Sequence, residues 1–278
     1  MKKLHNEIKT DQYRELTIDC ENCCGLCCVA LYFSKNEGFP ENKRAGKPCV
    51  NLQKNFRCRV HTELEKRKLK GCMAYDCFGA GQKVTQTVYH GKSWKDKDVK
   101  PDEMYRVFLA VYQLHQMLWY LNEAALLIPA ADIYGVIESA IQDLDRLTRQ
   151  TPEALLKLDL EACREKTNRL LKEVWHRVQN TVKSTVEPQK SVDFIGKDFK
   201  KAVLDGQDFS MSLLIAANLE GCSLGGANFL GADLRDANLK NADLRESIFL
   251  TQAQVNTAKG NAYTKLPEFV TCPKTWRK

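Results

Sequence analysis

Residues 216–245 read AANLEGCSLGGANFLGADLRDANLKNADLR, six five-residue units in which a large apolar side chain returns at every fifth position. A period of five fits neither the 3.6-residue helix nor the two-residue strand. Extending the register in both directions gives Phe194, Phe199, Leu204, Phe209, Leu214, Leu219, Leu224, Phe229, Leu234, Leu239, Leu244 and Phe249 as unbroken centres. Two residues before each centre stand Val192, Lys197, Ala202, Gln207, Ser212, Ala217, Cys222, Ala227, Ala232, Ala237, Ala242 and Ser247. All but Lys197 and Gln207 are small enough to sit beside the centre, and those two mark a degenerate start. Such a chain closes on itself as a coil. The centres stack in an inner column and the small residues fill the space beside it.

The units AANLE, GANFL, GADLR, DANLK and NADLR resemble the pentapeptide-repeat family, whose consensus is A(D/N)LXX. The resemblance implies a right-handed quadrilateral β-helix over residues 192–250. With four units per coil this makes about three coils, a column about 15 Å tall at the usual strand spacing. Cys222 then occupies an inward slot as a buried, inert thiol. A stack of this kind must be capped. The segment TQAQVNTAKGNA at 251–262 reads as a helical C-terminal cap closed by Gly260, with the tail to Lys278 lying along the surface; cap and tail together occupy 251–278.

The opposite end of the chain has a different grammar. Nine of twelve cysteines fall within the first 77 residues, beginning with the run CENCCGLCC at 20–28. Cysteines two or three residues apart can aim thiolates at one centre, and Gly25 permits the tight backbone that this needs. Cys20, Cys23, Cys27, Cys28, Cys49, Cys58, Cys72 and Cys77 are the candidate ligands. Cys24 breaks the spacing and is set aside, and His61, three residues after Cys58, is a weaker candidate for one position. Eight thiolates suit two tetrahedral zinc sites, one iron–sulfur cubane with spare cysteines, or a binuclear centre. A catalytic CxxC pair would need only two cysteines and a βαβ setting, neither of which describes residues 1–100. Asp76 and Tyr75 stand beside ligands as candidate supporting residues.

The cysteine pattern resembles the cysteine-cluster domains described as zinc- or iron-chelating, with Cys20, Cys23, Cys27 and Cys28 matching its first part. The stretches CCGLCCVALYF, CRVHTELEKRKLKGCMAYDCFGAGQKVTQ, LHQMLWYLNEA and FLTQAQVNTAKGNAYTKLP are similar to a group of bacterial pentapeptide-repeat proteins with the same three-part layout. That resemblance brings no activity with it.

Between the two ends, residues 101–186 read as helical. One helix opens at Asp102 and Glu103 and runs to Pro129, and a second covers Asp132 to Gln150. A third starts at Thr151 as N-cap with Pro152 in the first turn and continues through Val178. His115 and Cys163 lie on apolar helical faces as core residues. STVEPQKS at 184–191 reads as a linker, with 187–191 separating the helices from the coil.

Charge narrows the function. The net charge is +7, and residues 1–100 carry 20 Lys and Arg against 12 Asp and Glu. The excess surrounds the cysteines, where it would offset thiolate charge; contact with nucleic acid is left open. FGAGQK at 78–83 lacks the spacing and the Lys-Ser/Thr pair of a phosphate-binding loop, and reads as a turn leaving the cysteine site. No Ser-His-Asp, HExxH or dinucleotide signature is present, which argues against an ordinary hydrolase or dehydrogenase. No leader-like or membrane-spanning apolar run stands out, so the expectation is a cytoplasmic, multidomain α+β protein without membrane contact. The leading reading is a metal-stabilised scaffold that binds another protein, with zinc as the cofactor and a homodimer as one possible assembly. The alternative is a redox or metal-handling protein built on an iron–sulfur cluster or a labile metal. A further alternative, imitation of duplex DNA to protect a topoisomerase, suits the coil poorly. Its nine acids against six bases are sparse beside one charge per about 1.7 Å of duplex.

Overall fold

The computed structural model describes Tyr13, residues 15–182 and residues 191–277. Two compact units result. One runs to Leu126 and adds Ile133–Leu171; the other takes Leu127–Asp132 and the described residues from Lys172 onward. Apart from Ser191, the expected linker at 187–191 lies outside the described residues.

The first unit begins with irregular, cysteine-bearing chain broken by short helices: α1 (Leu26–Ala30), α2 (Lys70–Ala74) and α3 (Ala80–Gln82), the last passing into a π-helical turn at Lys83–Val88. Phe33, Phe39, Val60 and Leu69 make a small core among the loops, with Cys49, Cys58 and Cys72 packed against it. The regular part is α4 (Pro101–Ala124), which packs on α5 (Tyr134–Thr148). Pro101 starts α4, with Asp102 and Glu103 in the first turn where they suit the helix dipole. The third expected helix is two. Thr151 does cap α6 (Pro152–Leu155), but Asp159 Oδ1 then accepts from the Ala162 amide at 2.9 Å and starts α7 (Leu160–Thr181) afresh. An Asp that competes for backbone amides breaks a helix that apolar spacing alone would continue. No helix among the described residues is long and apolar enough to cross a membrane.

In the second unit the five-residue register becomes a four-sided coil. Residue n pairs in parallel with residue n+20 on four ladders, for example Asp193 with Leu213 and Asp233, or Asp208 with Asn228 and Ile248. The pairings are isolated bridges, where continuous strands were expected of a β-helix, because a turn follows every centre. In each turn the amide three residues after the centre donates to the centre's carbonyl, as Ala217 does to Leu214 at 3.0 Å. The residue two beyond the centre has positive φ, from Gly196 at 64° to Asn241 at 58°. That is the type II turn signature, and it explains why glycine recurs there.

Where an Asp or Asn precedes the centre, its side chain accepts from the amide two residues on, as Asn228 Oδ1 does from Leu230 at 3.0 Å. Between coils these side chains bond to one another, Asn218 Nδ2 to Asp198 Oδ1 at 2.8 Å and Asn238 Nδ2 to Asn218 Oδ1 at 3.0 Å. The consensus acid or amide is thus a turn cap and a rung at once.

All twelve centres are buried, and Phe209 stacks on Phe229 with centroids 5.5 Å apart. The small positions point inward from Gln207 onward, whereas Val192 is 63% exposed and Lys197 is also outward, so the degenerate start falls on Val192 and Lys197 and does not include Gln207, contrary to the expectation from the register. Cys222 is buried, its Sγ bonded to the Phe199 carbonyl at 2.9 Å. The C-terminal segment of α7 lies on the glycine corners of two successive coils: a Cβ at Gly226 would meet Val182 at 2.6 Å.

The cap contains α8 (Gln252–Thr257), opened by a capping box between Thr251 and Gln254, and Gln254 Nε2 donates to the Phe229 and Ala232 carbonyls at 2.8 Å each. Two expectations fail here. Gly260 does not close the helix; it makes room for the Trp276 indole, which a Cβ would strike. Nor does the whole tail lie on the surface, because Trp276 is buried and donates to the Ala258 carbonyl at 3.3 Å. An aromatic ring covers the open end of the apolar column better than a six-residue helix alone.

Two substitutions test this architecture in opposite directions by urea denaturation. Phe229→Ala is expected to cost about 3–5 kcal/mol, since a closed column cannot collapse onto the void. Ala216→Gly, at φ 55°, is expected to stabilise by about 1 kcal/mol by relieving a left-handed alanine.

Candidate metal centre

Each candidate cysteine is held by local backbone chemistry. Asp19 Oδ1 accepts from the Glu21 and Asn22 amides at 2.8 and 3.3 Å and winds the 3-10 turn Cys20–Asn22. Gly25, at φ 74°, turns the chain into α1, where the fully buried Leu26 and Val29 anchor the helix and leave Cys27 and Cys28 half-buried. The Cys49 amide donates to the Cys28 carbonyl at 2.9 Å, and Leu52 bridges to Cys58. Cys72 lies in α2. Cys77 precedes a left-handed pair, Phe78 at 46° and Gly79 at 74°, so FGAGQK is the turn its composition implied.

Seven of the eight candidates, all but Cys49, line one cavity of about 610 Å³, together with Arg57, His61, Tyr75 and Phe108. Cys24 does not line it; its buried Sγ takes a bond from the Thr85 hydroxyl at 3.4 Å, and its carbonyl accepts from Trp94 Nε1 at 2.9 Å. His61 is at the wall. The Sγ atoms of Cys27 and Cys28 are 4.0 Å apart. As the side chains stand, no three His, Cys, Asp or Glu among the described residues converge closely enough to hold an ion. The thiols surround a space rather than close on a point.

The electrostatics explain that spacing. Burial pushes the Cys20 thiol up to about 11 and those of Cys72 and Cys77 to about 12, with neighbouring thiols adding to the rise. Neutral thiols have little reason to crowd. Against this, nearby backbone amides lower four of the thiols, Gly25 and Leu26 at Cys23, Asn51 and Leu52 at Cys49, Val60 at Cys58, and Gly79 and Gly81 at Cys77, and the Asn51 amide donates to Cys49 Sγ at 3.4 Å. Amide donors favour the thiolate, the form that ligates metal. The Cys27 thiol donates to Cys28, which raises Cys27 and lowers Cys28.

Two cations stand close. Lys43 Nζ is held by the carbonyls of Val29, Arg44 and Lys47 at 3.0, 3.2 and 2.8 Å beside Cys28 and Cys49. Arg57 donates to the Cys20 and Glu21 carbonyls. The Tyr75 hydroxyl is buried near Cys27 and Cys77 without a hydrogen-bond partner among the described residues. A soft donor set with nearby amides, adjacent cations and an orphaned hydroxyl fits a thiophilic metal; the present side-chain positions require the thiols to draw inward around it.

Several supporting residues have no signature in the sequence. Thr85 and Trp94 hold Cys24 from more than 60 residues away. Asp76 Oδ1 accepts from the Phe78 amide at 2.7 Å. His115 is buried, and burial lowers its pKa to about 4; its Nδ1 lies 2.6 Å from the Phe78 carbonyl. Since a carbonyl only accepts, Nδ1 carries the proton and the neutral ring pins the turn after Cys77. His115 is therefore the satisfied core residue its position implied, while Cys163 is only half-buried.

The family model for pentapeptide repeats matches residues 212–249 in eight copies. The uncharacterized protein YybG of Bacillus subtilis (strain 168) is 50% identical over 278 residues, spanning 99% of this chain and 98% of YybG. The UPF0153 protein YeiW of Escherichia coli (strain K12) is 37% identical over 46 residues, 16% of this chain and 55% of YeiW. Among solved structures, a pentapeptide repeat protein of the Arabidopsis thaliana thylakoid lumen is 34% identical, covering 29% of this chain and 57% of that one with a TM-score of 0.17. Since the match to YybG runs nearly end to end and the repeats are shared with a known family, the chain belongs to the pentapeptide-repeat proteins of the YybG family.

Proposed function

We propose that the protein is a metal-stabilised interaction scaffold, in which the cysteine cluster is a zinc centre that orders the loops of the first unit and the coil offers a surface to another protein. The observation that carries this reading is the ring of seven thiols around one cavity, with backbone amides near four of the eight candidate sulfurs. Cys20, Cys23, Cys27, Cys28, Cys49, Cys58, Cys72 and Cys77 would hold the metal, with Cys24 and His61 outside the ligand set. Zinc bound by thiolates alone is closed to substrate and contributes folding free energy directly. On the coil, Val192, Ile195, Met211 and Leu213 are exposed apolar residues on adjacent, hydrogen-bonded coils, which supports a protein partner. Imitation of DNA is disfavoured because the coil's acids are sparse and three of the nine are neutralised by cations of the coil: Asp233 and Asp243 pair with Arg235 and Arg245, and Glu220 with Lys200.

Anaerobic purification followed by metal analysis and absorption spectroscopy tests the centre. The expected result is about two colourless zinc ions per chain, one per four thiolates, and loss of both order and metal in a Cys27→Ser/Cys28→Ser variant. Iron with acid-labile sulfide and a brown chromophore would replace the scaffold reading with the redox one. A folded, metal-free protein that takes up no added zinc would remove both.

The thiols also predict opposite responses to pH with and without metal. In the metal-free chain Cys20, Cys72 and Cys77 titrate at about 11 to 12 against an ordinary value of 9.0, so the fold favours their neutral form. That contribution is fully present below the unfolded value and is lost as pH rises through the folded ones. The urea midpoint of the metal-free protein is therefore expected to drop above pH 9. The metal-loaded protein is expected to fail on the acid side instead, as protons displace the metal from its thiolates.

A further inference from the structure

We propose that the cluster is two separate four-thiolate centres, Cys20, Cys23, Cys27 and Cys77 forming one and Cys28, Cys49, Cys58 and Cys72 the other, each for one divalent cation of the zinc class. The division rests on the reading of the cluster as a metal centre and specifies which residues act together. Binding displaces four thiol protons per ion, and each filled centre carries a net charge of −2, from four thiolates and one dication.

The backbone already sorts the cysteines this way. The segments bearing Cys20, Cys23 and Cys77 are tied together: the Asp19 amide donates to Gln82 Oε1 at 3.3 Å, Gln82 Nε2 donates to the Thr17 carbonyl at 2.6 Å, and a Cβ on Gly81 would lie 2.6 Å from Cys23 Sγ. The other four belong to the loops. Cys49 is bonded to the Cys28 carbonyl, Cys58 bridges to Leu52 three residues beyond Cys49, and Cys49, Cys58 and Cys72 share the packing around Phe33, Phe39, Val60 and Leu69. Cys72 has Cys28, Cys49 and Cys58 as its thiol neighbours, whereas Cys27 has Cys23 and Cys77 besides Cys28.

Cys27 and Cys28 could in principle share an ion, since sulfurs 4.0 Å apart are near the roughly 3.8 Å edge of a tetrahedron with 2.3 Å metal–sulfur bonds. Their sulfurs do meet, so the division places the boundary between two adjacent ligands whose main-chain positions lead to different segments. Beyond Cys28, the thiol neighbours of Cys27 are Cys23 and Cys77 of the first group, whereas Cys28 lies near Cys20 and Cys23 as well as Cys49, Cys58 and Cys72 and is assigned by the hydrogen bond of its carbonyl to the Cys49 amide.

Each group is also equipped alike. Two of its sulfurs lie near backbone amides, Cys23 and Cys77 in the first, Cys49 and Cys58 in the second. Each has a fixed cation to offset the anionic centre: Arg57 on the Cys20 carbonyl, and Lys43 beside Cys28 and Cys49. The first has in addition the unpartnered Tyr75 hydroxyl near Cys27 and Cys77, a donor that a bound thiolate would satisfy. A single polynuclear cluster would call for one set of donors at its rim, not two complete sets on different segments.

The test uses the full chain loaded anaerobically with cadmium-113. Two resonances in the tetrathiolate range, without cadmium–cadmium coupling, are expected, one correlating with the β-protons of Cys20, Cys23, Cys27 and Cys77 and the other with those of Cys28, Cys49, Cys58 and Cys72. Native mass spectrometry of the zinc form should show two ions in the parent and one in each of Cys23→Ser/Cys77→Ser and Cys49→Ser/Cys58→Ser. Coupled resonances, mixed correlations, or loss of both ions from a double variant that retains its circular dichroism would overturn the division while leaving a metal centre in place. A parent chain that takes up neither cadmium nor zinc would overturn the metal reading itself, and the division with it.

Discussion

Bringing cysteines from separate loops to one cavity is the constraint on which the first unit depends. From Cys20 to Lys100 the chain has only short helices and turns, and the core packed among its loops has four buried apolar residues. Further buried apolar residues, among them Leu26, Val29, Phe78 and Val84, sit on its short helices and turns, and the long loops between them carry an entropic cost of ordering. The segment also brings seven of the eight candidate cysteines from several turns to line one cavity, with Cys49 outside it. In the proposed reading, metal–thiolate bonds provide the cross-links that packing does not.

The coil solves the same problem by repetition. Each five-residue side offers one apolar centre, most sides add a small neighbour, an Asp or Asn to cap the turn and a left-handed corner, and each coil supplies hydrogen-bonding partners to the next. Its order therefore depends on near neighbours along the stack, and its weak points are the ends. At the C-terminal end the capping box at Thr251 and the buried Trp276 cover the column. At the start, Val192 and Lys197 face outward although the Phe194 and Phe199 centres beside them are buried.

The helices connect chemistry to packing. His115, deep in α4, holds the carbonyl of Phe78 and so fixes the turn that carries the Gly79 and Gly81 amides beside Cys77. Thr85, on the π-helical turn, takes Cys24 out of the cavity by bonding both its amide and its sulfur. The extra cysteine in the run is thereby sorted from the others by a residue far away in the chain. Spacing alone marked Cys24 as irregular; the Thr85 contact supplies the physical reason.

By itself the sequence determined the coil, because a five-residue period with inward Leu and Phe leaves one geometry in which every centre is buried. Its short spacings also marked eight cysteines as a local group, of which seven line one cavity. Only the tertiary structure decided the rest. The left-handed corners, the break at Asp159 and the place of Trp276 depend on backbone dihedrals and on partners distant in the chain. The sorting of the thiols likewise follows from which loops the hydrogen bonds of Gln82, Cys49 and His115 bring together. Periodicity records which residues share a face, but contacts across 40 to 60 residues leave no period to read.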